Sequence, residues 1–164
     1  MNSTYYIELI SPASQVAFEK VAYHSLKEAQ EILHLAKHTQ SQWKQSSISH
    51  RVELVLRAME FFRKNKETIA RDITSQMGKP IRQSRNEVDG MIQRAETCCE
   101  LAEDALRDIN LPQLDGVQRF IKREPLGVVL DIAAWNYPLL IAVNVVVPAV
   151  LAGNSVAIKH SSLT

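Results

Sequence analysis

Two polar side chains stand where two apolar runs of the chain end. Asn136, beside Trp135, follows the run from Leu126 to Ile132, and Lys159 closes the run from Ser155 to Ile158. One carries a neutral carboxamide, able to donate without ionising; the other carries an ammonium with three donors. The elements that must position them are readable from residue types. Leu126 to Ile132 is short, apolar and rich in β-branched residues, as expected of a parallel strand buried on both faces. Pro138 suits the first turn of a helix, where its missing N–H costs nothing. Leu139 to Leu151 is apolar nearly all round, so this helix is predicted to be buried, with Pro148 kinking it or ending it early. Gly153 stops it, and Ser155 to Ile158 reads as a second buried strand. The two strands are predicted to be parallel neighbours joined by a right-handed crossover. In such a unit ligands sit beyond the carboxyl ends of the strands. Ile132, Ala133, Ala134, Trp135 and Asn136 occupy one of those ends and Lys159 the other. Each has a plainer reading: Asn136 as an N-cap of the helix, Trp135 as a packing residue, Lys159 as an exposed strand-end cation.

Other chemistry is weaker. Cys98 and Cys99 are adjacent and fit neither a zinc spacing nor a CxxC pair, so they read as helix residues with at least one thiol buried. His34 and His38 share a helix face at i, i+4, but no HExxH accompanies them, and no metal site is expected. A net charge of +1 over 164 residues gives no reason to expect nucleic acid as a partner. The uncharged stretch from Ile132 to Ile158 is long enough to span a bilayer. Its prolines, asparagines and Gly153-Asn154 turn break it into helix plus strand, so no membrane span is expected. No signal-peptide pattern opens the chain, and a cytoplasmic location is the expectation.

The first half, residues 1–110, is mainly helical. Ser11 to Ser14 is turn-like and Val16 to Val21 a short strand. Ser25 and Glu28 form a capping box ahead of a helix carrying Ala29, Ile32, Leu33 and Ala36. A second helix carries Val52, Val55, Leu56 and Met59. A third carries Ile69, Ile73 and Met77 and ends at Gly78, with Pro80 beyond. A fourth runs from about Ile81 to about Leu106. Asn110 to Gln113 is a connector, and Arg119 to Lys122 a strand leading into residues 117–164. Charged residues on these helices read as solvated faces. Lys79 reads as a cation favoured by the dipole at a helix C-terminus.

Taken in order, Glu124-Pro-Leu-Gly-Val-Val129, Trp135-Asn-Tyr-Pro-Leu139, Pro148-Ala149, Ala152-Gly-Asn154, Lys159 and Ser161 resemble the aldehyde dehydrogenase superfamily. The family pattern is EPLGVV, PWNFPL, PAL-AAGN and KPSE-x-T. Gly78-Lys-Pro80 and Trp43 extend the likeness weakly upstream, so it covers nearly the whole chain and is specific from Arg123 onward. The resemblance implies an α/β fold: a helical N-terminal region plus the first βαβ unit of an incomplete Rossmann-like cofactor-binding domain. It implies oxidation of an aldehyde to a carboxylate through a thiohemiacetal, with NAD or NADP as cofactor. Negative charge builds on the carbonyl oxygen, which needs preorganised donors. The resemblance makes Asn136 one of them, Lys159 a hydrogen-bond donor to the adenosine ribose, and the backbone of Ile132, Ala133, Ala134 and Trp135 the lining of that crevice.

Three residues depart from the pattern. Ala134 stands where the family has Pro, loosening the turn that aims Asn136. His160 stands where Pro follows the Lys. Ser162 stands where NAD-preferring members have a Glu that binds ribose hydroxyls and repels a 2′-phosphate, so NADP is tolerated in this reading. The family's pyrophosphate-binding glycine turn, catalytic Cys and general-base Glu lie downstream of these motifs, and neither Cys98 nor Cys99 inherits the nucleophile's role. The chain is thus expected to be inactive alone, to self-associate through an unpartnered sheet edge, or to join a complementary C-terminal part. The alternative is a non-catalytic nucleotide-binding or interaction module that retains half the fold.

Overall fold

The structure is a computed structural model that describes residues 5–164. It opens with an antiparallel hairpin, β1 (Tyr6–Ile10) and β2 (Ala17–Ala22), followed by four helices: α1 (Leu26–Trp43), α2 (Ile48–Lys64), α3 (Lys66–Met77) and α4 (Ile81–Leu106). Two short strands, β3 (Ile109–Asn110) and β4 (Phe120–Ile121), pair antiparallel and lead into β5 (Val128–Ile132), α5 (Pro138–Leu151) and β6 (Ser155–Lys159). Local signals set the helix limits. Ser25 Oγ accepts from the Glu28 amide while Glu28 Oε2 accepts from the Ser25 amide, closing the capping box of α1. Gly78 ends α3 at φ 68°, a left-handed position that a side chain makes costly.

The core centres on α4. Its buried stripe (Val88, Met91, Ile92, Ala95, Cys99 and Ala102) meets Val55 and Met59 of α2, Ala70 and Ile73 of α3, and Val143, Val147 and Leu151 of α5. Residues at i, i+3, i+4 and i+7 on one helix thus face three neighbours.

β5 and β6 are parallel, in a register that runs from Val128↔Ser155 to Ile132↔Lys159. Buried Asn154 fixes its start: its Oδ1 accepts from the Gly127 amide at 2.8 Å, and its Nδ2 donates to the Ala149 carbonyl at 3.1 Å.

Four expectations change. Of the two outcomes expected at Pro148, a kink or an early end, the early end does not occur, because Pro148 lies inside α5. Its ring removes one backbone bond, but the Ala152 amide still reaches the Pro148 carbonyl at 2.9 Å and the helix end is held by side chains described below. β5 is not buried on both faces: Leu130 and Ile132 are 62% and 70% exposed, whereas Asp131 on the alternate face is buried. Helix α5 is fully buried only along Val143, Val147 and Leu151, since one side alone meets α4. Ile32 and Leu33, whose helical spacing gives α1 the pattern of an apolar face, are exposed, and Gln40 is its buried residue. The strand β1 and the pairing of Asn110 in β3 were not signalled by any motif. Among the described residues, no helix is long and apolar enough to cross a membrane.

Candidate active site at the strand ends

Parallel register brings the separated site residues together. Ile132 pairs with Lys159, and the Ala133 amide donates to the Lys159 carbonyl at 3.1 Å. Ile132, Ala133 and Lys159 therefore share one end of the sheet, with Ala134, Trp135 and Asn136 forming the exposed turn that climbs from it to α5. Ser162 is exposed, three residues beyond Lys159, in a segment folded on itself: Leu163 N donates to Ser161 Oγ at 3.0 Å, and His160 Nδ1 lies 2.5 Å from the Ser161 carbonyl oxygen.

Asn136 does not cap α5. The N-cap is Tyr137, and no side chain of that residue caps the helix. The capping group comes instead from α4. Glu87 Oε1 accepts from the Leu139 amide at 3.0 Å and the Leu140 amide at 3.4 Å. Its Oε2 accepts from Lys79 Nζ at 2.5 Å. Lys79 Nζ also donates to the Asn136 main-chain carbonyl at 3.1 Å and lies 3.7 Å from the centroid of the Tyr137 ring. Both charged side chains are buried, Glu87 fully and Lys79 at 8% exposure. Lys79 is thus no surface cation at a helix end, as its sequence position suggests. The carboxylate opposes the positive end of the α5 dipole, so that terminus is already neutralised and offers no cradle for a phosphate.

Three residues from α1 and α2 grip the other end of α5, whose last carbonyls lack helical partners. Arg51 Nη1 donates to the Leu151 carbonyl at 2.7 Å, Trp43 Nε1 to Val150 at 3.0 Å and Gln40 Nε2 to Gly153 at 3.0 Å. Arg51 also holds the Ser46 carbonyl at 2.6 Å and Ser46 Oγ at 3.1 Å. Burial pushes the Arg51 guanidinium below its ordinary pKa, yet it stays protonated. Gly153 follows at φ 86°, and a Cβ there would lie 3.0 Å from Arg51 Nη1. This grip sets where β6, and so Lys159, begins.

The two cysteines stand away from the turn. Cys99 is buried, and burial raises its thiol pKa, which suits a core residue and not a nucleophile. Glu87, at the Asn136 turn, is on the same helix, and Cys99 lies about 18 Å further along it at about 1.5 Å per residue. No group of three or more His, Cys, Asp or Glu residues fit for a metal is found among the described residues. A surface concavity lined by Asn110, Leu111, Gln113, Gln118 and Arg119 belongs to β3–β4, not to the strand ends.

Sequence reasoning missed Glu87, Lys79 and Arg51. A signal existed for two of them. Glu87 falls on the buried stripe of α4 between Ser84 and Met91, and Arg51 on that of α2 ahead of Val55. A charge on an apolar stripe needs a buried partner.

A family model described as the aldehyde dehydrogenase family matches residues 1–164. A 3,6-anhydro-alpha-L-galactose dehydrogenase of Vibrio sp. (strain EJY3) is 31% identical over 159 residues, covering 96% of this chain and 33% of that protein. A lactaldehyde dehydrogenase of Methanococcus maripaludis is 30% identical over 156 residues, covering 95% and 33% respectively. Among solved structures, an NADP-dependent glyceraldehyde-3-phosphate dehydrogenase from Bacillus halodurans, complexed with NADP, superposes with a TM-score of 0.89 at 30% identity, covering 96% of this chain and 34% of that one. The structure of a 3,6-anhydro-L-galactose dehydrogenase gives a TM-score of 0.92 at 26% identity, with coverage of 99% and 34%. The chain spans about a third of the length of the curated relatives it matches, 33% of each of the two named.

Proposed function

The chain belongs to the aldehyde dehydrogenase family, and from that membership we propose that it supplies one oxyanion donor and the ribose side of the cofactor site for an NAD- or NADP-dependent aldehyde oxidation. The observation that carries this reading is the pairing of Ile132 with Lys159, continued by the Ala133–Lys159 bond, which gathers both motifs at one sheet end. Asn136 is exposed there, with its capping duty taken by Glu87. Its carboxamide donates to the aldehyde oxygen as negative charge develops on it, a role that needs a fixed neutral donor.

The residues present fit the ribose end of a dinucleotide and not its pyrophosphate. Lys159 is an exposed donor at the strand end, whereas the α5 N-terminus already holds a carboxylate. NAD or NADP, when bound, supplies the hydride acceptor. Lys159 binds ribose hydroxyls, the main chain of Ile132, Ala133, Ala134 and Trp135 lines the crevice, and Ser162 leaves room for a 2′-phosphate. Neither cysteine stands at the turn, so the 164-residue chain alone does not turn an aldehyde over. The exposed Leu130–Ile132 face of the sheet takes a complementary C-terminal part of the enzyme or, failing that, a second copy of the chain.

The test is co-production with the C-terminal part of a family member. Asn136→Ala is expected to lower kcat by roughly 10²–10³, the scale for losing one oxyanion donor, and to leave cofactor affinity unchanged. Lys159→Ala is expected to weaken cofactor binding more than it lowers kcat. An Asn136→Ala enzyme with undiminished kcat overturns the reading, as does aldehyde turnover by the chain alone that is lost on replacing Cys98 or Cys99.

A further inference from the structure

The turn that carries Asn136 is exposed from Ala134 to Tyr137 and has one main-chain tie on its strand side, the Ala133–Lys159 bond. On its helix side the Ile141 amide donates to the Tyr137 carbonyl at 2.9 Å, and the side chains that hold it belong to one buried ion pair. We infer that Glu87 and Lys79 are positioning residues for Asn136, an inference that rests on the reading of Asn136 as an oxyanion donor. Glu87 Oε1 fixes where α5 begins by taking the Leu139 and Leu140 amides. Lys79 fixes the residue that matters by donating to the Asn136 carbonyl and lying against the Tyr137 ring. The 2.5 Å contact between them joins the two grips into one unit.

Its chemistry argues against a purely stabilising role. A buried ion pair costs desolvation, and well-packed apolar residues commonly stabilise a fold as well or better. Apolar residues cannot hold one carbonyl and two amides at set positions. An oxyanion donor must stay within about 0.5 Å of its productive place, and Ala134 gives the turn less stiffness than a proline there would. The ammonium itself is braced: Lys79 lies between Gly78, in the left-handed conformation, and Pro80, with its fixed φ.

Two measurements test the inference. The first is amide hydrogen exchange on the 164-residue chain. Glu87→Leu is expected to speed exchange at Leu139 and Leu140 by about tenfold or more, the change for losing a charge-assisted bond. Glu87→Gln keeps an acceptor and retains part of the protection, and amides of the β5–β6 ladder do not change in either. Unchanged exchange at Leu139 and Leu140 in Glu87→Leu overturns the inference. The second is a double-mutant cycle in the reassembled enzyme. Lys79→Met, in which the Glu87 carboxylate still accepts from the Leu139 and Leu140 amides, is expected to lower kcat about tenfold or more at unchanged KM for cofactor. In an Asn136→Ala background the same change is expected to have little further effect, because both act through one donor. A kcat loss in Asn136→Ala with none in Lys79→Met, or with losses that multiply, overturns the positioning role alone. No loss in Asn136→Ala overturns the donor reading and the inference with it.

Discussion

Arg51→Met removes the guanidinium that closes α5 and keeps a side chain of similar length. Arg51 makes two short main-chain bonds, 2.7 Å to Leu151 and 2.6 Å to Ser46, and longer ones of 3.3 Å to the Lys44 carbonyl and 3.1 Å to Ser46 Oγ. Hydrogen bonds from a charged group contribute about 1.5–3 kcal/mol each. The two short ones alone then account for about 3–6 kcal/mol. Water reaching the partly buried Ser46 carbonyl offsets some of this, and so does removing the desolvation that lowers the Arg51 pKa. The net expectation is a loss of about 2–4 kcal/mol, a large share of the roughly 5–15 kcal/mol that holds a domain together. At about 2 kcal/mol per molar urea, the unfolding midpoint falls by about 1–2 M, read by circular dichroism at 222 nm. A second arm isolates the contact. Gly153→Ala introduces a left-handed alanine, costing about 1–3 kcal/mol, and a Cβ 3.0 Å from Arg51 Nη1. In the Arg51→Met background that second cost vanishes, so the double variant is more stable than the sum of the singles predicts. A midpoint shift below about 0.25 M in Arg51→Met, which at that slope is about 0.5 kcal/mol and the size of an ordinary surface change, refutes the account of Arg51 as the clasp of α5.

Three further outcomes follow from particular groups. Glu67 bridges to Arg85 at 2.8 and 2.9 Å and to Arg71, which hold its pKa at about 2 against an ordinary 4.5. A depressed carboxylate stabilises the fold above its unfolded pKa and loses that contribution as pH falls through the folded one. Wild type and Glu67→Gln should therefore differ slightly in urea midpoint at neutral pH and converge between pH 4.5 and about 2, the effect staying small because the pair is exposed. Asp131 Oδ2 is buried without a hydrogen-bond partner, so Asp131→Val should raise stability by roughly 1–3 kcal/mol, and a fall in thermal midpoint would contradict that. Buried Cys99 should resist a thiol reagent until the chain unfolds, while half-buried Cys98 reacts in the native state; equal rates would show that α4 opens.

What was legible in the sequence was the part written locally. The Ser25–Glu28 box, Gly78 and Pro138 mark helix limits through groups within a few residues, and the structure places α4 and α5 where periodicity and punctuation put them. The parallel β5–β6 pair was legible because two β-branched runs flank a single helix. The β1–β2 hairpin was half seen: its turn carries no Asn-Gly signal, and Tyr6 to Ile10 show their pairing only through partners across the turn. Burial was over-read where an apolar pattern reports capacity, not a partner. Ile32 and Leu33 repeat at helical spacing, yet stay exposed because nothing among the described residues covers that side of α1.

The same limit explains why the candidate site residues could be named from the sequence and their supports could not. Helix α5 has no charged residue and no side-chain cap of its own at its N-terminus. Both of its ends are completed from far away in sequence: Glu87 brings a carboxylate to the positive end, and Arg51 a guanidinium to the negative end. Each sign is the one the macrodipole favours. Asn136 precedes the first end, and Lys159 lies one strand beyond the second. The two residues proposed to meet aldehyde and cofactor are thus held by charges on α2 and α4, so the helical first half is part of the candidate site's construction and not a separate preface to it. A chain that kept residues 123–164 and lost α2 and α4 would retain every motif of the family in that stretch and leave both ends of α5 without their partners.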